Sequence, residues 1–433
     1  MLGPSEHASA DEVIDLRGAL VLPGVIDGHV HFDDPGFTER EDFATGTAAA
    51  AAGGVTMVVD MPCTSLPPVT SVEALEAKLA AITEKARVDF MLWGGVSGNV
   101  LARPGWQGHL EELVEAGVAA IKTYLLSGME TFTDLAPDQL GAVLEQTARL
   151  GIPVGVHAED RQLVEEKLAA VRAQGADGPL AYAASRPADA EVRAISKLAE
   201  MCDATGAAVH IVHLGSAEGL EVIRAAQRRG APMTAETCPH YLVFTDADLE
   251  RLGSVLKTAP VVKSAEDRRG LWRGLADGSL LFVASDHAAG VWPEEKTTGS
   301  IWTDYGGVPG VELLLPTLYS KGVRQGRITL ERLVEITAAA PARFFGVSHR
   351  KGALKAGHDA DLVVLDEDAD TRVAASGLHN KNRYTPLEGT VFEGRVRECW
   401  VRGRKVFWRN EFGTEHFAPR PAGRWIRREH SHA

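Results

Sequence analysis

The sequence predicts a (β/α)8 (TIM) barrel carrying a small β-sandwich, and three observations predict it. From residue 24 to 346, short apolar runs alternate with stretches rich in Ala, Leu and Glu, eight times over. Polar and titratable residues recur at the C-terminal ends of most of these runs, the end at which barrel enzymes keep their chemistry. After residue 346 the texture changes to short β-rich runs punctuated by Gly352, Gly357, Gly377, Gly389, Gly394 and Gly403. Eight strand–helix units need roughly 250 residues or more, so 24–346 holds a barrel with insertions. An open doubly wound sheet is disfavoured. No Gly-x-Gly-x-x-Gly turn follows the first run, and the polar residues are not gathered at one switch point.

The predicted barrel strands lie near 24–31, Val55–Met61, Val88–Val96, Ala119–Leu125, Pro153–Glu159, Ala208–Gly215, Pro232–Cys238 and Leu281–His287. Between them, apolar residues at spacings of three and four predict helices over Ser71–Ala86, Leu110–Ala116, Asp138–Leu150, Ala188–Thr205 and Ala217–Arg229. Ser71 with Glu73, and Ser216 with Glu218, have the form of helix N-termini with an acidic first turn. The alanine run Ala48–Ala52 suits a packed helix. Residues 1–23 hold a strand-like pair, Glu12–Asp15 and Ala19–Leu22, expected to join 347–433 in the sandwich. There, Asp361–Leu365, Thr390–Phe392, Val396–Val401 and Lys405–Trp408 read as antiparallel strands. The tail, with Arg409, Arg420, Arg424, Arg427 and Arg428, is expected to be solvated, or else an arm onto a neighbouring subunit.

Bulk properties narrow the class. The chain has 433 residues, 45% apolar, and a net charge of −14 from 45 basic and 59 acidic side chains. This balance argues against a nucleic-acid or anionic-membrane surface but leaves a local anionic substrate possible. Cys63, Cys202, Cys238 and Cys399 form no Cys-x-x-Cys pair, which points to a reducing compartment. No run approaches 18 apolar residues and the start lacks a signal-peptide pattern, so a soluble cytoplasmic protein is expected.

The chemistry begins at Gly24-Val-Ile-Asp-Gly-His-Val-His31-Phe32. Strand side chains alternate faces, so His29 and His31 point the same way, about 7 Å apart at the Cα level. Two such imidazoles can chelate one metal ion. Alone, a His-x-His pair is weak. Later strand ends add Lys122, His157, His213 and Asp286, and six such groups at one barrel face are hard to attribute to chance. Charge balance then argues for two divalent ions. Four neutral imidazoles contribute nothing, Asp286 and a bridging hydroxide contribute one negative charge each, and a lysine ammonium would repel the metals. Carboxylation of Lys122 by carbon dioxide turns it into a bidentate carbamate anion and removes that conflict.

This set resembles the ligands of the amidohydrolase superfamily, in its binuclear, carboxylated-lysine branch. The likeness runs from about residue 11 to 408. Leu22-Pro-Gly-Val-Ile-Asp-Gly-His-Val-His31, Gly46 to Pro62, Val212-His-Leu-Gly-Ser216 and Pro386-Leu-Glu-Gly389 are specific in combination. The cyclic amidohydrolases among them include allantoinases, dihydroorotases, hydantoinases and dihydropyrimidinases. The resemblance implies that His29, His31 and Asp286 hold one metal, His157 and His213 the other, and carboxylated Lys122 bridges them. It implies zinc as the commonest metal, Asp286 as general base, and a homodimer or homotetramer. Relatives carry more strands before the segment matching 11–23, so the sandwich is expected to be short at its start. Non-enzymatic relatives have lost these ligands; this chain has all six.

Departures guide the choice of substrate. Dihydroorotases carry an arginine where this chain has Asp33, and an asparagine where it has Ala259. Both carboxylate readers are therefore missing, and Asp33 is expected to repel dihydroorotate. Hydantoinases and dihydropyrimidinases present a tyrosine shortly after the bridging lysine, whereas Leu125–Met129 has none. Glu236-Thr-Cys-Pro-His-Tyr-Leu242, Lys257-Thr-Ala-Pro260 and Thr303-Asp-Tyr-Gly-Gly-Val-Pro-Gly310 resemble allantoinases most. The resemblance implies hydrolysis of a neutral cyclic ureide or imide, allantoin first, with main-chain groups near Ala259 and Tyr305 holding the ring. Dihydroorotase and hydantoinase activities are the alternatives.

Overall fold

The structure, a computed structural model, describes residues 13–429. Val25–His31, Val55–Asp60, Asp89–Leu92 with Gly94–Gly95, Ile121–Tyr124, Val154–His157, Val209–Ile211, Met233–Thr237 and Phe282–Val283 with His287–Ala288 form the parallel strands of the barrel. Its third strand breaks at Trp93, whose N–H still reaches the Asp60 carbonyl at 2.9 Å. The eighth breaks at Ser285-Asp286 and then closes the ring, pairing His287 with Val30 and Ala288 with His31. Asp27 helps seal the seam: its Oδ1 accepts the Ser285 N–H at 2.9 Å and the His29 N–H at 3.3 Å.

Local chemistry accounts for the helices between the strands. Ser71 caps Val72–Ile82 by accepting the Ala74 N–H, and Ser216 caps Ala217–Arg228 by accepting the Gly219 N–H. Phe43–Ala52, which carries the alanine run, is buried along most of its length. Ala188–Thr205 ends at Gly206 in the left-handed conformation, the usual glycine stop.

The barrel interior is a packed plug. Met57, Val59, Met91, Trp93, Phe282 and Phe345 fill it beneath the polar end. Trp93 donates its indole N–H to the Gly28 carbonyl at 3.0 Å. Gly155 must lack a side chain here, since a Cβ would lie 2.7 Å from the Trp93 ring.

A separate antiparallel sheet runs in the order Leu20–Pro23, Leu362–Arg372, Val391–Val401, Arg404–Arg409 and Glu415–Phe417. The first of these pairs Leu20 with Leu365 and Pro23 with Leu362, so the two ends of the chain meet in one sheet. Val13–Asp15 form no strand; Glu12 and the residues before it lie outside the described residues.

The tail departs from expectation. Through residue 429 it is neither solvated along its length nor extended away from its own chain. It threads across the N-terminal end of the barrel: Phe90 donates to the Arg424 carbonyl, Ile426 to that of Phe90 and Arg428 to that of Gly117. Ile426 joins the barrel's interior cluster, and the Arg428 guanidinium caps the carbonyls of Ala119 and Phe344. A run of arginines reads as solvated in sequence because their charge dominates. Here the long apolar stems and fixed donors serve an end of the barrel where carbonyls need partners.

Candidate metal centre

At the C-terminal end of the barrel the six predicted residues converge. His29 Nε2 lies 3.3 Å from His31 Nε2, and Asp286 Oδ1 lies 3.2 Å and 3.3 Å from the two. Strand alternation puts both imidazoles on one side, as expected, and the break in the eighth strand brings Asp286 over them. His157 Nδ1 lies 3.1 Å from His213 Nε2 as a second pair. The rings of His29 and His213 are 5.4 Å apart, so the two groups share one site.

Lys122 reaches into it from the fourth strand. Its Nζ is fully buried, has no hydrogen-bond partner among the described residues, and sits 4.5 Å from the Tyr124 ring centre. An orphaned ammonium in such a place is costly, and burial lowers its pKa to about 8, towards the neutral amine that can react with carbon dioxide. Burial also holds His29, His157 and His213 below the ordinary imidazole range, in the neutral form that offers a lone pair to a cation. His31 behaves oppositely. Burial would lower it, but Cys63 and Asp286 draw it up to about 10. Burial pushes the Asp286 carboxyl up, yet His29, His31 and His213 hold it well below the usual carboxylate range. The donor set thus combines three imidazoles held neutral, a fourth (His31) that must give up its proton to bind a cation, and an ionised carboxylate that attracts positive charge, which suits a pair of divalent cations.

Strain marks the same place. Among the non-glycine residues in the left-handed region are Asp33 (φ 54°), His213 (φ 42°) and Asp286 (φ 48°). Such positions cost about 1–3 kcal/mol each and persist where surrounding structure enforces them.

Supporting residues lock the imidazoles. His29 Nδ1 lies 2.6 Å from Glu236 Oε1, and Glu236 Oε2 lies 3.3 Å from His210 Nε2. His157 Nε2 lies 2.8 Å from Glu159 Oε2, which Arg186 grips through two donors. His31 Nδ1 faces Thr64 Oγ1 at 3.3 Å. These contacts choose which ring nitrogen points inward. The sequence analysis assigned no such role to Glu159, Glu236 or Arg186. Glu159 was within reach of it, because the predicted strand Pro153–Glu159 puts it two residues after His157 on the same face, although the strand itself ends at His157. Glu236 and Arg186 leave no such trace, since each meets its partner only through the closed barrel.

The site opens into a cavity of about 560 Å³. His31, His157, His213 and Asp286 form its floor, and Ser127, Tyr182, Arg186, Lys257, Thr258 and Trp302 are on its walls. Ala259 and Tyr305 line it as well. Thr258 Oγ1 is buried without a hydrogen-bond partner among the described residues. Asp33 is different: it is fully buried and does not line the cavity, and burial raises its carboxyl to about 8. Asp33 thus presents no carboxylate oxygen to the cavity, the turn after His31 taking the left-handed conformation at Asp33. Leu126, Ser127, Gly128 and Met129 line the wall where hydantoinases are expected to carry a tyrosine.

The amidohydrolase family model matches residues 20–406. The chain belongs to the amidohydrolase family. Within this family, an allantoinase of Rubrobacter xylanophilus is 40% identical over 431 residues, covering 98% of this chain and 91% of that protein. An L-hydantoinase of Paenarthrobacter aurescens is 34% identical over 416 residues, covering 95% and 89%. In three dimensions, the L-hydantoinase (dihydropyrimidinase) from Arthrobacter aurescens superposes with a TM-score of 0.92 at 32% identity, covering 98% of this chain and 92% of that one. Dihydropyrimidinase from Brevibacillus agri gives 0.89 at 30% identity, with coverages of 98% and 92%. This amidohydrolase is a metal-dependent hydrolase of cyclic amides. No helix among its described residues is long and apolar enough to cross a membrane.

Proposed function

We propose that this amidohydrolase opens the hydantoin ring of allantoin, giving allantoate. The observation that carries the metal part of this reading is the buried, unpartnered Lys122 between two histidine pairs. Carboxylated, Lys122 would bridge two divalent ions, zinc being the commonest; His29, His31 and Asp286 would hold one, and His157 and His213 the other. When bound, the ions supply Lewis acidity, which polarises the scissile carbonyl and lowers the pKa of the attacking water.

The chain's own residues do the rest. Asp286 accepts the water's proton through its carboxylate as the C–O bond forms, then delivers it to the ring nitrogen as the C–N bond breaks. Its ionised state suits the first transfer. Glu236 and Glu159 hold His29 and His157 in one tautomer each, so the donors need not reorganise during turnover. Main-chain groups near Ala259 and Tyr305, with Thr258, would hold the ureide edge of the ring. The product is an acyclic carboxylate with a free ureido nitrogen.

Allantoin is preferred to dihydroorotate because neither position occupied by a carboxylate reader in dihydroorotases has one here: Asp33 is buried and Ala259 is apolar. It is preferred to hydantoins because the wall at Leu126–Met129 lacks a phenol. The four allantoinases of 36–40% identity support the same choice. Comparing kcat/KM for allantoin, dihydroorotate, hydantoin and dihydrouracil on metal-loaded protein tests it. Allantoin should exceed the others by at least tenfold. A preference for dihydroorotate or for hydantoin overturns the assignment. We also expect a homodimer or homotetramer in the cytoplasm, checked by sedimentation and fractionation.

A further inference from the structure

We infer that the N-terminal end of the barrel carries a binding site for a small polyanion of the polyphosphate class, remote from the catalytic end. A cavity of about 610 Å³ lies between the sheet hairpin and the tail, lined by Arg402, Arg404, Arg420 and Arg424 together with Thr83 and Glu84. Its volume falls within the usual range for small-molecule sites. Four guanidinium groups gather there against two carboxylates, Glu84 on the wall and Asp89 beneath Arg402, on a chain whose net charge is −14. Arg402 forms the built base of the site. Its side chain is 12% exposed, and Asp89 and the Ala422 carbonyl fix its guanidinium.

The other three arginines are uncommitted. Arg404, Arg420 and Arg424 have no side-chain hydrogen bond or ion pair among the described residues, although arginines elsewhere on this surface commonly find a carboxylate. Burial lowers Arg402 to about 10, and Arg424 and Arg404 beside it add to the same direction. The backbone keeps them there. The Arg424 N–H is anchored on Asp89 Oδ1 at 2.9 Å, and the Gly423 N–H on the Ala86 carbonyl at 2.8 Å. Arg402 sits in the left-handed region at φ 48° at the start of the hairpin turn. Planar guanidinium forks converging from two chain segments suit closely spaced oxyanions, which they bind bidentately and with charge assistance. One bridging ligand would tie Arg420 and Arg424 of the tail to Arg404 of the hairpin. It would therefore also fasten the tail, which closes this end of the barrel.

Inorganic pyrophosphate is the probe, titrated calorimetrically into the metal-loaded protein at low ionic strength. Binding should weaken steeply with added salt, and pyrophosphate should raise the melting temperature and slow amide exchange across residues 419–428. Inorganic phosphate should bind at least tenfold more weakly. Arg404→Ala with Arg420→Ala, both at exposed positions, should weaken pyrophosphate at least tenfold while ring opening continues at its usual rate. Glu84→Gln should tighten it severalfold by removing the opposing charge. Equal affinity for phosphate and pyrophosphate, or affinity indifferent to the arginine pair, overturns the proposal. So does absence of binding accompanied by dissociation of an oligomer in the double variant, which would assign the patch to a second copy's acidic surface.

Discussion

The two ends of the barrel solve opposite problems with the same kinds of residue. At the C-terminal end, charged and polar groups are buried and left incomplete: Lys122 Nζ, His213 Nδ1 and Thr258 Oγ1 lack partners among the described residues, and His213 and Asp286 sit in strained backbone. At the N-terminal end, buried charge is fully matched. Lys351 Nζ lies 2.6 Å from Asp89, 2.5 Å from Asp361 and 3.0 Å from Asp359, so that acidic trio is occupied by an ammonium rather than open to a metal ion. Ile426 and Arg428 of the tail close the remaining surface. The difference teaches where stability is spent. One end keeps unmet valence because a substrate and its metals must supply it; the other has none to offer in its interior.

Four perturbations break or sharpen that contrast, taken from the largest expected effect down. Lys122→Ala should lose at least one equivalent of metal and nearly all ring-opening activity, and short carboxylic acids should restore some of it by replacing the missing anion. Metal analysis by mass spectrometry decides this: full metal content in the variant would remove Lys122 from the ligand set.

Asp286→Asn keeps an oxygen in place but cannot take a proton at neutral pH. Turnover should fall by about 10²–10⁴, the range typical of general acid–base catalysis, with any loss of metal adding to it. Steady-state kinetics at saturating metal measure it, and near-normal turnover would free Asp286 of its role.

Lys351→Met tests the other end. It takes the ammonium away from Asp361 and leaves Asp89 with Arg402 as its cation, and removing one member of a buried ion network costs about 3–5 kcal/mol. Denaturant melts should show that loss, while kcat/KM of the protein still folded stays within about twofold of the parent. An equal collapse of kcat/KM would mean that the two ends are coupled.

The smallest effect concerns the contact between the sheet and the loop after the eighth strand. His379 lies 3.1 Å from Glu312 and 3.2 Å from Glu415. Burial lowers its pKa, but the two carboxylates outweigh that and raise it to about 9, above the ordinary imidazole value of 6.5. A folded-state pKa above the unfolded one gives stability that is complete below about pH 6.5 and lost as pH rises through about 9. Thermal melts across that window should show a decline that His379→Gln removes. A slope unchanged in the variant would assign it to another group.

Much of the catalytic end was legible in the chain because strand geometry is local. Alternation alone puts His29 and His31 on one face of the strand Val25–His31. Serine followed by an acidic first turn marked two helix starts, each realised with its cap. The eight-fold alternation of strand and helix was sufficient for the barrel, since right-handed parallel crossovers leave few other arrangements.

Closure decided the remainder. Glu236 meets His29 across 207 positions, and Asp27 meets Ser285 across 258, so no window of sequence could pair them. Asp33 lies two residues beyond His31, and alternation would have aimed it into the site. A left-handed turn at Asp33 ends the alternation and buries it, a backbone choice set by the packing around it. The tail shows the same limit in reverse. Its composition describes a solvated arm, and only the open N-terminal end of the barrel, with carbonyls and apolar surface to cover, makes it a plug. What the sequence determined by itself was what repeats at short range. Which distant side chains complete one another followed from the ring being closed.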